Sequence, residues 1–245
     1  MLKYIAFQNG VILKNFSLKK QSVKRLGYLD LLCGSSKLSV YFFIMACCWL
    51  TASFLSYSLQ YIVLNIEGNP FWNFIIMAQI PHLIHVFLCY VLVDLLGRRL
   101  TLSFSFAITS VSMFVIVTMH RLQYEAAHMA NISLFIMAKL GANLSFSVVY
   151  LMTTELFPTA LRQQSLSACS MIARIGSILG PMLGFLNNIF PDLTMIVMLS
   201  IGLIMMGLSL ILPETKGRPL PDGVEDVVTT LQLKENSENE PFLSS

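Results

Sequence analysis

Apolar runs long enough to cross a bilayer dominate this chain, and they leave few folds open to it. A hydrocarbon core of ~30 Å needs ~20 apolar residues per helical span, and backbone polar groups at that depth are satisfied only in helices or closed barrels. On that rule six spans are expected, at about residues 38–62, 71–93, 100–119, 130–152, 165–190 and 193–212. The last, "LTMIVMLSIGLIMMGLSLIL", is nearly free of polar groups. With 56% hydrophobic and 12% charged residues in 245, the chain is too apolar for a water-soluble domain of its size. An all-α integral membrane protein is expected.

Charge placement gives an orientation, because cytoplasmic segments retain Lys and Arg. Lys3, Lys14, Lys19, Lys20, Lys24, Arg25 and Lys37 precede the first span; Arg98 and Arg99 follow the second, Arg162 the fourth, and Lys216, Arg218 and Lys234 the sixth. All fall on one side. Opposite them Arg121 is the only loop cation, so both termini are expected in the cytoplasm. Residues 1–37 are expected to be a basic lead-in rather than a cleavable signal, suited to setting topology and meeting anionic lipid rather than nucleic acid. Residues 213–245 form a cytoplasmic tail, expected to be disordered after about 226. The cysteines at 33, 47, 48, 89 and 169 lie in cytoplasmic or intramembrane segments, which argues against a disulfide framework. Without a GxxxxGK[ST] loop, ATP is not implied, and no cofactor is expected.

Three loops are more specific. "DLLGRRL" (94–100) joins spans two and three, "TTELFPTALRQQS" (153–165) joins four and five, and "LPETKGRPLPDGVED" (212–226) follows six. In order, spacing and sidedness they resemble the organic cation/anion/zwitterion transporter family of solute carriers, within the major facilitator superfamily. The resemblance begins near Tyr4, where "YIAFQNGVIL" is similar to the end of that family's central cytoplasmic loop, and covers only the C-terminal half, helices seven to twelve. It implies a six-helix C-terminal bundle that moves against an N-terminal bundle to give alternating access. The partners implied are a small organic ion, the lipid bilayer, and either an N-terminal six-helix bundle or a full-length relative. A multi-pass protein of the plasma membrane is expected. The rival expectation is a truncated, non-transporting form that modulates a full-length transporter.

Helical geometry at 100° per residue sorts the polar residues within the spans. On span five Gln163, Ser167, Ser170, Arg174 and Ser177 share a stripe, beside glycines 176, 180 and 184. An Arg facing lipid would cost at least ~2.5 kcal/mol on insertion scales, so this stripe is expected to face a bundle interior or a wet cavity. Trp49, Ser53, Ser56, Tyr57 and Gln60 share a face on span one, Gln79, His82, His85 and Cys89 on span two, and Lys139, Asn143, Phe146 and Tyr150 on span four. The expected substrate cavity is therefore Arg174, Lys139, Asn143, Tyr150, Tyr57, Gln60, His82, His85, Ser170 and Ser177; interhelical hydrogen bonding in a packed bundle is the plain alternative. His82, His85 and Cys89 are a poor metal set, lacking a nearby carboxylate. The spans hold no Asp or Glu pair for acid–base chemistry, so an enzyme is not expected.

Asp94, Gly97, Arg98, Arg99, Glu155 and Arg162 gather at helix ends on the cytoplasmic side, where acids and arginines can pair with each other and with helix dipoles. They are expected to form a gate, or else to anchor helix ends at the interface. In the family that the motifs resemble, anion carriers have an Arg at the position of Arg174, which implies a weak preference for anions.

Overall fold

The computed structural model describes residues 36–64, 69, 71–72, 75–122, 128–186 and 192–217. The lead-in before Ser36, the end of expected span five at 187–190 and the tail from Arg218 lie outside these residues. Among those described the chain is helical apart from short connections and the segment after the last helix, with no strand. The helices are α1 (Ser36–Leu64), α2 (Ile80–Leu96), α3 (Arg98–Arg121), α4 (His128–Leu156), α5 (Thr159–Leu186) and α6 (Leu193–Ser209), and a π-helical turn, Ile75–Gln79, leads into α2.

Segments within α1, α3, α4 and α5 are long and apolar enough to cross a membrane; α2 and α6 are shorter apolar helices of 17 residues each. Pro81 explains the start of α2. It lacks an N–H and cannot donate to the preceding turn, and the wider i→i+5 turn stands immediately before it. Helix α5 starts at Thr159, six residues before the apolar run, because "TALRQQ" supplies helical turns that hydropathy does not register. It ends the loop begun by Pro158, whose carbonyl accepts the N–H groups of Leu161 and Arg162.

Two packing seams build the core. The first is α1 against α5, where Gly176 and Gly180 lie on the backbone of α1: a Cβ at Gly176 would overlap the Leu50 carbonyl, and one at Gly180 would come within 2.8 Å of Ser58 Oγ. Small residues let the two backbones approach this closely. The second seam joins α3 to α4 and α6 around Leu102, Phe106 and Met113, all fully buried. Ser103 on α3 donates to the Met206 carbonyl of α6 at 3.1 Å. At the far end of this seam Asp192, in the left-handed region at φ +67°, is buried and receives His120 Nδ1 at 2.7 Å and Arg121 Nε at 3.2 Å. Thus the C-terminus of α3 is tied to the N-terminus of α6.

Helix α5 differs from the other spans. Only 22% of its most apolar window is buried in the bundle, against 56–61% for the other three. Its outward side carries Met171, Ile175, Ile178, Met182 and Phe185, all exposed.

Candidate functional site

Three helices wall a cavity of about 390 Å³. Ser56, Tyr57 and Gln60 come from α1, His82 and His85 from α2, and Lys139, Asn143, Phe146 and Ser147 from α4. The i, i+4 spacing places Lys139 and Asn143 on one face of α4; i, i+3 does the same for His82 and His85, whose ring centroids are 4.7 Å apart. His85 is buried, with Nε2 3.0 Å from Ser147 Oγ and Nδ1 without a partner. Lys139 is buried too. Its ammonium donates to the Ser56 carbonyl at 2.8 Å and to Gln60 Oε1 at 3.1 Å. Asn143 Nδ2 is buried without a partner. Among the described residues no Asp or Glu lines the cavity, and the fixed charge they bring to it is the positive one of Lys139.

One turn from Asn143, α4 continues the wall with aromatic rings. Trp49 is buried and held by its Nε1–H bond to Thr153 Oγ1 at 2.8 Å. Against it Phe146 packs edge-on at 5.7 Å and Tyr150 tilted at 5.2 Å. Trp49, expected on the polar face of span one, thus belongs to the packing between α1 and α4, and Ser53 is buried outside the cavity lining.

Of the ten expected cavity residues, the structure brings together Tyr57, Gln60, His82, His85, Lys139 and Asn143. Tyr150 lies outside the lining, exposed beside Trp49. Arg174, Ser170 and Ser177 do not reach it either. The glycine edge of α5 is the one that meets α1, and the Arg174 stripe lies on another side of the helix; Arg174 is exposed and the two serines half-buried. Ser177 Oγ bonds the Arg174 carbonyl within α5. Ser56, Phe146 and Ser147 also line the cavity without being among the expected residues. For Ser147 the signal is its i+4 spacing from Asn143.

A second cluster stands where α2, α3, α4 and the segment after α6 meet. Gly97 closes α2 at φ +84°, with its N–H on the Val93 carbonyl, and a side chain there would press on Glu214 at 2.8 Å. Arg98 grips Glu155 with two groups, Nε at 3.0 and 3.2 Å from the two carboxylate oxygens and Nη2 at 3.0 Å from one. Thr215 Oγ1 donates to the same carboxylate at 2.6 Å. Glu214 receives the backbone N–H groups of Arg98 at 2.9 Å and Arg99 at 3.1 Å, which have no intrahelical acceptor at the start of α3. A carboxylate at a helix N-terminus also meets the positive end of the helix dipole. Lys216 Nζ caps the other side of the turn by donating to the Asp94 carbonyl.

The gate residues therefore meet in part. Gly97, Arg98, Arg99 and Glu155 are joined; Asp94 takes part through its carbonyl, its side chain being exposed. Arg162 Nε and Nη2 and Arg99 Nε are buried without partners. Glu214, Thr215 and Lys216 join this cluster without being among the expected gate residues. Their signal was an acid after a proline, at the end of the last span, with an unpaired helix N-terminus elsewhere in the chain.

Residues 54–224 match the model of the sugar (and other) transporter family. Solute carrier family 22 member 1 of Bos taurus is 29% identical, aligned over 99% of this chain and 43% of its own length. The organic cation transporter-like protein of Drosophila melanogaster is 31% identical over 73% of this chain and 30% of its own length. Solute carrier family 22 member 6 of Rattus norvegicus is 27% identical, with 76% and 33% covered. The chain spans less than half the length of these curated relatives.

Proposed function

From its membership of the sugar (and other) transporter family, within the major facilitator superfamily, we propose that this multi-pass membrane protein is one bundle of an organic-ion carrier working by alternating access. The single observation that carries the reading is the polar and aromatic cavity between α1, α2 and α4, whose buried side chains keep unpaired hydrogen-bonding groups. A packed bundle with no ligand to meet would satisfy these groups internally. A second six-helix bundle completes the path, and the exposed side of α5, with Arg174 amid Ser170 and Ser177, faces the space between them. Arg98, Glu155 and Glu214 hold the helix ends together in the state described, and their release accompanies the opposite state. Both termini lie in the cytoplasm, the membrane is the plasma membrane, and the chain alone does not transport.

Organic anions are preferred over cations. Among the described residues no acid pairs with either cation within the spans, Lys139 in the cavity or Arg174 on the outward side of α5, and a fixed cation in low dielectric favours a carboxylate over an ammonium. The experiment is uptake of benzoate and of tetraethylammonium by the chain assembled with an N-terminal bundle from a relative, comparing Arg174→Lys, Arg174→Ala and Arg174→Asp. Selective loss of benzoate uptake in Ala, partial retention in Lys and gain of tetraethylammonium uptake in Asp are expected. Equal loss of both in all three would contradict the anion preference.

A second reading is favoured by the outward apolar side chains of α2 and α5, among them Leu83, Phe87, Tyr90, Met171 and Met182. By it the chain docks on a full-length relative and modulates it. Co-expression that lowers the relative's uptake, with both proteins recovered in one complex, would select this reading.

A further inference from the structure

Lys139 is the most unusual charge in the cavity, because it is 5% exposed and both of its partners are neutral. An ammonium carries three donors; two are used, by the Ser56 carbonyl and Gln60 Oε1. Among the described residues no carboxylate approaches it. Dipoles alone compensate a buried charge less well than an anion does. One turn along the same face, Asn143 has a buried amide nitrogen, Nδ2, without a hydrogen-bond partner.

We infer that Lys139 reads the charge of the substrate, taking a carboxylate together with Asn143, and that Gln60 holds the place of that carboxylate while the cavity is empty. The inference rests on the organic-ion reading above and narrows it to monocarboxylates with an apolar body. The two acceptors on Lys139 differ in kind. The Ser56 carbonyl is fixed in the backbone of α1, whereas the Gln60 amide ends a half-buried chain of three rotatable bonds and can swing away. A carboxylate makes a stronger, charge-assisted bond than the amide it replaces. Tyr57 and Phe146, 46% and 37% exposed along the cavity, offer ring faces to the rest of the ligand. Exchange of amide for carboxylate removes a tie between α1 and α4, so occupancy loosens one helix pair of the cavity wall.

The test is calorimetric titration of the purified full chain in lipid nanodiscs with benzoate and, as a cation of similar shape, benzyltrimethylammonium. Benzoate is expected to bind and the ammonium compound not. Lys139→Gln weakens benzoate by about tenfold to a hundredfold, the range for a hydrogen bond to a charged group. Gln60→Glu, which supplies a permanent internal carboxylate, abolishes benzoate binding. Gln60→Ala tightens it, because nothing has to be displaced. Loosened binding in Gln60→Ala would make Gln60 a direct ligand and overturn the place-holder; unchanged binding in Lys139→Gln, or preference for the ammonium compound, would overturn the charge reader. Should Lys139→Gln fail to fold, the opposite signs expected of Gln60→Ala and Gln60→Glu still decide. Absence of benzoate binding to the unmodified chain overturns this subsite, whereas the uptake series at Arg174 judges the transport reading separately.

Discussion

Glu214 shows how much one side chain can organise at the end of a bundle. Its carboxylate receives N–H groups from Arg98, Arg99, Thr215 and Lys216, so the segment after the last span is folded onto the start of α3. Glu214→Ala is expected to lower stability by about 1–2 kcal/mol, the range for a lost helix cap with a dipole contribution, read as thermal unfolding in detergent. Arg98 and Glu155 should couple: the double variant Arg98→Ala/Glu155→Ala loses less stability than the sum of the single variants, since either one alone leaves a charge without its bidentate partner. Additive losses would show that the pair contributes nothing jointly. In an assembled transporter, Arg98→Ala should slow turnover more than it weakens substrate affinity, since Arg98 lies at a helix end outside the cavity. These contacts were half legible in the sequence. The acids and arginines could be named from their motifs, but Arg98 and Glu214 are 116 residues apart, and no local pattern records which helix end a distant carboxylate will cap.

At the scale of elements, the apolar runs located the helices because a backbone in hydrocarbon has few other ways to satisfy its polar groups. Boundaries shifted where polar residues continue a helix, as at Thr159, and where Pro81 forces a wider turn. The six expected residues that do line the cavity, of the nine that line it, were legible because i, i+3 and i, i+4 spacing puts polar side chains on one face. Arg174 was not placed by the same rule. Periodicity shows that it shares a stripe with Ser170 and Ser177, yet only packing shows that the glycine edge of α5 is the one turned to α1. That seam gives a direct test. Gly176→Ala should destabilise by about 1–3 kcal/mol, as overpacked cores do, because its Cβ would meet the Leu50 backbone. Gly207→Ala, where nothing lies within 4 Å, should be neutral or stabilising by up to about 1 kcal/mol through helix propensity. Equal melting shifts for the two variants would contradict the seam.

For the whole molecule, exposure is distributed unevenly. The bundle buries its α1/α5 and α3/α4/α6 seams, while α2 and α5 present long apolar side chains and one arginine outward. Lipid can cover the apolar part of such a surface, but Arg174 calls for a polar neighbour or a wet cavity, which the second bundle of the proposed assembly would supply. With tags at its ends, the chain in cells should expose both termini to the cytoplasm, and a tag reached from outside would reject the orientation read from Lys and Arg. The most direct measurement of the account is radiolabelled benzoate uptake into liposomes holding the purified chain, alone and together with an N-terminal six-helix bundle from a relative. The account predicts background uptake for the chain alone and saturable uptake for the pair, with a lower maximal rate when Arg98→Ala slows the exchange between states. Saturable uptake by the chain alone would contradict it.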